Sequence, residues 1–192
     1  RYHLGWEEAN GNPTKKNQGK SLRSVLCLLA CEINQGNWEA AIPAAVSLEL
    51  IHNFSLIHDD VQDKDATRRG RSTVWSIWGI PKAIVAGNAM RVLADQSLSK
   101  LSSHGLDPEL TLKAVSMLTK RYTEMIEGQF LDMSFEQINS ITTENYLDMI
   151  ERKTGALIQS AMFIGALIGS RNQRVAKAFG ACGSLLGLAF QI

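Results

Sequence analysis

The segment from His52 to Trp75 holds the side chains of this sequence that are best suited to chemistry. Its charged residues are Asp59, Asp60, Asp63, Lys64, Asp65, Arg68, Arg69 and Arg71. On a helix, Asp59 and Asp63 are neighbours one turn apart, and a like-charge pair of this kind costs about 0.2–0.5 kcal/mol. The pair also lies near the predicted carboxyl end of a helix, where the helix dipole disfavours anions. We therefore expect a bound group to compensate for the crowded carboxylates.

A hard divalent cation is the group that this pattern predicts. Magnesium prefers carboxylate oxygens, keeps several waters and is completed by the phosphates of a substrate. The arginines that follow would donate paired hydrogen bonds to phosphate oxygens. The segment therefore predicts a magnesium site that binds a diphosphate. A solvated charged turn is the alternative, and the adjacent Arg-Arg-Gly and the apolar run upstream argue against it.

The residues upstream of the aspartates predict a pocket beneath them. His52 precedes Asp59 by seven residues, nearly two helical turns, so the two share a face. Ser55 lies four residues before Asp59 on that face, and Phe54 lies about 7.5 Å lower along the helix axis. A polar rim above aliphatic and aromatic side chains predicts a deep apolar pocket with a charged mouth. For His52, a structural role and a role in the site fit equally well.

Composition narrows the class of protein that carries this segment. The 192 residues include 20 Lys and Arg against 19 Asp and Glu, for a net charge of +1. Nucleic-acid binding without sequence specificity needs a basic excess, so it is disfavoured. Apolar residues make up 45% and charged residues 20%, which matches a globular protein and excludes disorder. Three sparse cysteines do not form a disulfide framework and favour a reducing compartment.

Helices must position the charged segment, because apolar residues recur at helical spacing throughout. A buried stripe is predicted on one long helix that runs from Pro43 into the sixties, formed by Val46, Leu50, Phe54, Ile57 and Val61. Other helices are predicted at 21–34, 81–103, 108–134, 143–169 and 171–190. No alternating strand pattern is present. The fold class is therefore predicted as all-α, a single domain over 1–192 with mostly antiparallel helices around a central deep apolar cavity.

Five motifs, in order, resemble those of the trans-type polyprenyl diphosphate synthases. Gly19-Lys20-Ser21-Leu22-Arg23 is similar to that family's GKxxR segment, and Asp59-Asp60-Val61-Gln62-Asp63 to its first aspartate-rich motif. Thr67-Arg68-Arg69-Gly70, Gly128-Gln129-Phe130-Leu131-Asp132 and Lys153-Thr154-Gly155 resemble the steps that follow. The resemblance covers nearly the whole chain. The aspartate motif alone also occurs in terpene cyclases, so the ordered combination carries the resemblance.

The resemblance implies a role for each matching residue. Magnesium would be bound by Asp59 and Asp63, with Asp60 in support. Arg68 would contact the allylic diphosphate. The diphosphate of isopentenyl diphosphate would be bound by Lys20, Arg23, His52 and Arg69. The reacting centre would be lined by Lys153, Thr154 and Gln191 and flanked by Gln129 and Asp132. Two or three magnesium ions are expected, with manganese as a possible substitute.

The implied activity is that of a transferase in isoprenoid biosynthesis. The allylic diphosphate ionises, the double bond of isopentenyl diphosphate attacks, and a proton is lost to pyrophosphate. Phe54 and Ser55, five and four residues before the aspartates, resemble the geranylgeranyl-forming type, with farnesyl diphosphate as the next product. We also expect a homodimer without a membrane span. A cytoplasmic location is expected because no targeting segment is visible.

One departure from the family pattern keeps two alternatives open. The 192 residues contain no second aspartate-rich motif, so the chain as printed is expected to lack part of the active site. A non-catalytic partner subunit of a synthase is the first alternative, although such a subunit has no need for Lys20, Arg68 and Arg69. A terpene cyclase is the second, and cyclases do not need a site for isopentenyl diphosphate.

Overall fold

Helices form almost all of the protein. The computed structural model describes residues 1–14, 19–136, 138 and 140–191. Its α-helices are α1 (Leu22–Ile33), α2 (Ile42–Gln62), α3 (Val74–Trp78), α4 (Ile80–Ser99), α5 (Pro108–Phe135), α6 (Thr143–Ile150), α7 (Ala156–Ser170) and α8 (Gln173–Gln191). Short 3₁₀ turns lie at Trp38–Ala41 and Ser102–His104, and a π-helical turn lies at Glu151–Gly155. The all-α class is therefore confirmed.

Local capping chemistry explains where α5 and α6 begin. The Asp107 carboxylate accepts from the amide N–H of Glu109 at 2.8 Å, and Pro108 occupies the first turn of α5. The hydroxyl of Thr142 accepts from the amide N–H of Asn145 at 3.1 Å and caps α6. These caps satisfy backbone donors that have no partner within the helix.

The chain forms two compact units. The first comprises Arg1–Leu22 and Ser47–Gln96. Its core includes Ile57, Val74 and Ala83, all buried. Packed against them are partly buried Tyr2, Val61, Trp75, Trp78, Ala86 and Met90. This unit contains the carboxyl end of α2 and the charged segment that follows it.

The second unit comprises Arg23–Val46 and Ser97–Ile192. Helix α7 lies at its centre, with most of its residues fully buried, as expected for a helix that is apolar on every face. A side chain at Gly165 would collide with the backbone carbonyl of Cys27, so glycine allows α1 to approach α7 closely. This unit holds α5, the π-helical turn and α8.

Three local predictions from periodicity were wrong, the first of them only in part, because Phe54 and Ile57 of the predicted α2 stripe are buried as expected. Val46 is 43% exposed, whereas Leu48 and Ile51 are fully buried. Helix α2 is apolar on several faces, so periodicity alone leaves the orientation of its buried stripe ambiguous. The helix predicted over 143–169 is interrupted by the π-helical turn. Two strands also form where none was predicted. They were missed because strands of two residues are too short to show an alternating pattern.

One helical stretch among the described residues meets the length and composition criteria for a membrane span. Trp38–Gln62 contains a window with a mean hydropathy of 1.4, and 61% of that window is buried inside the protein. Core helices of soluble proteins meet the same criteria, so this stretch is weak evidence for a membrane span. The single domain over 1–192 and the central apolar cavity stay predictions.

Candidate active site

The carboxyl end of α2 gathers the acidic side chains by a specific helix-ending motif. Lys64 adopts a left-handed conformation with a φ of 57°, and the amide N–H of Asp65 donates to the carbonyl of Asp60 at 3.0 Å. This is the bond of a Schellman motif. The amide N–H of Asp63 donates to the carbonyl of Asp59 at 2.8 Å, which keeps these two residues one turn apart. The predicted spacing of Asp59 and Asp63 is therefore present, although α2 itself ends at Gln62.

Asp60 points into the protein instead of toward solvent. Its side chain is only 1% exposed, and its Oδ1 accepts from Nε of Arg68 at 2.5 Å. The Oδ2 atom is buried and has no hydrogen-bond partner among the described residues. Burial raises the pKa of the Asp60 carboxyl, while the hydrogen bond and charge of Arg68 oppose that rise. The charges of Asp65 and Asp63 add to the rise.

The carboxylates that remain are suited to a hydrated magnesium ion. Asp63 is exposed and Asp59 is partly exposed. Within the described ranges, no group of three or more His, Cys, Asp or Glu side chains is placed to enclose a metal. Magnesium does not need such an enclosure, because it keeps waters and takes phosphate oxygens as ligands. The carboxylate oxygens of Asp59 and Asp63 therefore fit magnesium together with a diphosphate, and the Asp60 carboxylate is buried against Arg68.

The arginines that follow α2 lie on a short hairpin. Strands β1 (Thr67–Arg68) and β2 (Arg71–Ser72) pair antiparallel, with Arg68 opposite Arg71. Both connecting residues have positive φ, 53° at Arg69 and 72° at Gly70. This is the pattern of a two-residue type I′ turn, which matches the twist of paired strands. The turn leaves Arg69 exposed, whereas Arg68 faces Asp60.

The loop before α1 lies against the exposed arginine. A Cβ atom at Gly19 would lie 2.7 Å from Nη1 of Arg69, so glycine makes room for that guanidinium. Lys20 follows directly in the chain and is exposed. The first unit therefore brings the Gly19-Lys20 backbone to Arg69, as a site for an anion requires. Arg23, the second residue of α1, belongs to the second unit and is partly buried.

The upstream residues of α2 take different environments. His52 is partly buried, and its carbonyl accepts from the hydroxyl of Ser55 at 2.9 Å. Phe54 is 8% exposed and packs edge-on against the ring of His58, with centroids 4.6 Å apart. A side chain at Gly87 would collide with the His58 ring, so α4 approaches α2 closely here. Phe54 is therefore a core aromatic held by its neighbours.

The π-helical turn of the second unit carries Lys153 and Thr154, two of the residues predicted for the reacting centre. The Lys153 ammonium forms an ion pair with Asp132 on α5. The Thr154 hydroxyl donates to Oε1 of Gln191 at 3.3 Å. Gln129 is partly buried on α5, one turn before Asp132. Four of the five predicted residues are thus paired with one another, which the sequence motifs alone did not show.

Glycines hold this turn in place by backbone contact. A side chain at Gly128 would collide with the backbone nitrogen of Lys153. A Cβ atom at Gly187 would lie 2.6 Å from the Cα of Gly155. Helices α5 and α8 therefore both touch the backbone of the turn. Single-turn π segments inside helices occur frequently at functional sites.

Sequence reasoning missed the residues at the start of the chain. Tyr2, His3 and Arg71 line a cavity of about 30 Å³ together with Asp60, Arg68, Arg69, Ser72 and Thr73. The pKa of His3 is lowered to about 4 by burial and by the nearby charges of Arg69, Arg68 and Arg71. The signal available in the sequence was an aromatic residue and a histidine inside a segment that is otherwise polar and irregular.

Comparisons with known proteins find relatives that match most or all of the chain. A sequence model of the family described as polyprenyl synthetase matches residues 7–192. A "(2E,6E)-farnesyl diphosphate synthase" of Mycobacterium tuberculosis is 41% identical over 191 residues, which is 100% of this chain and 52% of that protein. A "geranylgeranyl diphosphate synthase" of Methanosarcina mazei is 43% identical over 174 residues, which is 91% of this chain and 53% of that protein.

Solved structures are similar over the same region. The crystal structure of a polyprenyl synthetase from Streptomyces coelicolor has a TM-score of 0.91 and 40% identity, covering 99% of this chain and 55% of that one. A geranylgeranyl pyrophosphate synthetase from the archaeon Geoglobus acetivorans has a TM-score of 0.85 and 41% identity, covering 90% of this chain and 56% of that one. The chain spans about half the length of the curated relatives that it matches.

Proposed function

Because the chain belongs to the polyprenyl synthetase family, we propose that it condenses isopentenyl diphosphate with an allylic diphosphate in a head-to-tail 1′-4 prenyl transfer. The single observation that carries the proposal is the arrangement at the end of α2. Two carboxylates, that of partly exposed Asp59 and that of exposed Asp63, lie one turn apart, and a hairpin places Arg69 beside the Gly19-Lys20 loop. Carboxylates for magnesium and cations for phosphate are what a diphosphate requires.

Diphosphate binding is assigned mainly to residues of the first unit. Asp59 and Asp63 would hold magnesium, which supplies charge neutralisation of the leaving pyrophosphate. Arg68 uses its Nε–H on Asp60, and a guanidinium has four further N–H donors that can address the allylic diphosphate. Lys20 and Arg69 would bind isopentenyl diphosphate, with Arg23 and His52 as further proposed contacts. Asp60 acts in support by fixing the orientation of Arg68.

Control of the carbocation is assigned to the π-helical turn. The Lys153 ammonium is neutralised by Asp132, so the pair adds little net positive charge beside the developing cation. The oxygens of Thr154 and Gln191 can direct their negative dipole ends toward that cation. Gln129 would flank the same centre. A dry cavity must keep water from the cation, and the departing pyrophosphate accepts the proton.

The function is tested by incubating the purified complete protein with radiolabelled isopentenyl diphosphate and one allylic diphosphate at a time. We expect magnesium-dependent formation of longer prenyl diphosphates, a loss of activity with EDTA and recovery when magnesium or manganese is restored. A protein that is active only after another synthase is added would identify a partner subunit. Cyclic hydrocarbon products would identify a terpene cyclase.

Product length is proposed as geranylgeranyl diphosphate, with farnesyl diphosphate as the alternative. The proposal rests on Phe54 and Ser55, because a bulky residue one turn below the aspartates can limit the growing chain. Phe54→Ala should open space beside His58 and shift products to longer chains. Phe163→Ala is the matched control, because Phe163 is 7% exposed on α7 and its loss should lower stability only. An unchanged product distribution in a folded, active Phe54→Ala variant would show that another residue limits the chain length.

A homodimer and a cytoplasmic location remain part of this proposal. Size-exclusion chromatography with light scattering measures the first. Fractionation of cells that express the complete protein measures the second.

A further inference from the structure

Two arginines face each other on the hairpin and need separate partners. Arg68 and Arg71 are directly opposed in the register of β1 and β2. Like charges in this position destabilise a strand pair. An isolated hairpin is also marginal in water, and these strands are only two residues long. Arg68 is paired with Asp60. Because Arg71 lies opposite Arg68, the hairpin keeps its geometry only if Arg71 has a partner elsewhere.

Arg71 is held by the first residues of the chain, which we name the N-terminal loop (residues 1–14). Its Nη1 donates to the carbonyl of Tyr2 at 3.1 Å, and its Nη2 donates to the carbonyl of Glu7 at 2.8 Å. The same Nη2 lies 3.3 Å from Oε2 of Glu8. The guanidinium carbon also lies 4.1 Å from the centre of the Tyr2 ring, which adds a cation–π contact. Arg71 is 14% exposed, so these contacts occupy most of its surface.

Tyr2 makes a second contact with the hairpin. Its hydroxyl donates to the carbonyl of Ser72, the residue after Arg71, at 2.8 Å. Its ring packs edge-on against Trp78 of α3, with centroids 5.1 Å apart. Bonds within the N-terminal loop, such as Gly5 N–H to the Tyr2 carbonyl at 2.9 Å, order the loop itself. One aromatic side chain therefore joins the loop, the hairpin and the helix that follows.

We propose that Arg71 and Tyr2 are positioning residues, which hold the hairpin so that Arg68 and Arg69 address the diphosphate. The inference rests on the proposed function for the identity of that ligand. Arg69 has a left-handed backbone conformation that is unfavourable for a residue with a side chain. The surrounding structure must therefore impose that conformation. The contacts that Tyr2 makes with Arg71 and Ser72 do so by fixing β2, and they keep Arg71 away from the acidic residues that Arg68 binds.

The test compares four variants of the complete protein. Tyr2→Ala removes both the ring and the hydroxyl, and Tyr2→Phe keeps the ring. Arg71→Lys keeps the charge but loses the paired donor geometry. Trp6→Ala is the matched control, because Trp6 is an aromatic residue of the same loop whose side chain is 51% exposed. Two quantities are measured: affinity for inorganic pyrophosphate with magnesium, by calorimetry, and hydrogen exchange of the amides from 66 to 73.

We expect Tyr2→Ala and Arg71→Lys to weaken pyrophosphate binding by about tenfold, since a charge-assisted hydrogen bond from Arg68 or Arg69 to phosphate would be lengthened or lost. Hairpin exchange should rise in the same variants while the protein stays folded. Tyr2→Phe should recover most of the affinity, and Trp6→Ala should behave as the unsubstituted protein. Faster hairpin exchange with unchanged pyrophosphate affinity would overturn the positioning role, as would no change in either quantity. An unsubstituted protein without pyrophosphate affinity would instead overturn the proposed function, and the positioning role with it.

Discussion

The two units position their candidate functional side chains by different physical means. At the end of α2 and on the hairpin, an ion pair and tight turns position the side chains. Arg68 is paired with buried Asp60, and Lys64 and Arg69 adopt left-handed backbone conformations. At the π-helical turn, close approach between backbones positions the side chains, since there is no room for a side chain at Gly128 or Gly187. The first region should therefore respond to changes of charge, and the second to the addition of a single methyl group.

The difference also predicts how stability and activity separate. Crowded carboxylates near a helix carboxyl end are unfavourable for folding, so their presence points to ligand binding. Glycine contacts between helices contribute to both folding and placement, because the same atoms serve both. Away from the buried Arg68–Asp60 pair, substitutions in the first region should separate activity from stability, whereas those at the π-helical turn should change both together.

The largest effect is expected for Asp59→Ala. The change removes a proposed magnesium ligand and should lower turnover by roughly a thousandfold or more. The free energy of unfolding should change by less than about 1 kcal/mol, because a like-charge neighbour of Asp63 is also removed. Steady-state kinetics and urea denaturation measure the two quantities. Asp95→Ala is the control, since Asp95 pairs with Arg91 on the surface of α4. Turnover near that of the unsubstituted protein would refute the assignment of Asp59.

The two adjacent arginines should differ in their effect on stability. Arg68→Ala leaves the buried Asp60 carboxyl without its partner and should lower the free energy of unfolding by about 2–4 kcal/mol. Arg69→Ala removes an exposed side chain and should change it by less than about 0.5 kcal/mol.

Their substrate effects should also differ, each by about 1.5–3 kcal/mol in transition-state stabilisation. Loss of Arg69 should act mainly on isopentenyl diphosphate, and loss of Arg68 mainly on the allylic substrate. Denaturant titration and kinetics with each substrate varied measure both contrasts. Equal effects of the two variants on both substrates would refute the separate assignment of Arg69 to isopentenyl diphosphate and Arg68 to the allylic substrate.

Two glycines of α8 provide a matched test of backbone contact. A Cβ atom at Gly187 would lie 2.6 Å from the Cα of Gly155, whereas one at Gly180 would meet the Phe163 side chain at 3.4 Å. Gly187→Ala should therefore destabilise the protein by about 1–3 kcal/mol and lower turnover as well. Gly180→Ala should be neutral or stabilising by up to about 1 kcal/mol, since alanine favours helix. Thermal unfolding of both variants measures the contrast, and effects of the same sign would argue against control by backbone contact.

The smallest effect concerns the dependence of stability on pH in the first unit. The pKa of His3 falls from its usual 6.5 to about 4 in the folded protein. The unfolded chain therefore binds a proton between these values and the folded protein does not, so the free energy of unfolding decreases as pH falls through this window. His3→Gln should remove about 1–2 kcal/mol of this decrease. Urea denaturation at pH 7 and pH 4.5 measures the free energy of unfolding at each pH. The same decrease in the His3→Gln variant and in the unsubstituted protein would contradict the prediction.

Periodicity and punctuation placed most helices correctly, because helix formation depends on residues three and four apart. Helix α5 was predicted at 108–134 and is observed at Pro108–Phe135. The buried face of α2 was predicted correctly at Phe54 and Ile57 but not at the start of the helix, where Val46 is exposed and Leu48 is buried. The motifs identified the residues of the candidate site, but not the contacts between Lys153 and Asp132 or between Thr154 and Gln191. Those pairs join residues more than twenty positions apart.

The amino-acid sequence by itself determined the helical class, the family and the order of the charged motifs, because each of these depends on residue type and on short spacing along the chain. Only the tertiary structure decided that Asp60 is buried against Arg68, that a π-helical turn carries Lys153 and Thr154, and that Tyr2 holds Arg71. Each of these features depends on burial and on contacts between distant parts of the chain. Burial changes the cost of a charge or a methyl group, and local sequence patterns carry no record of which groups become buried together.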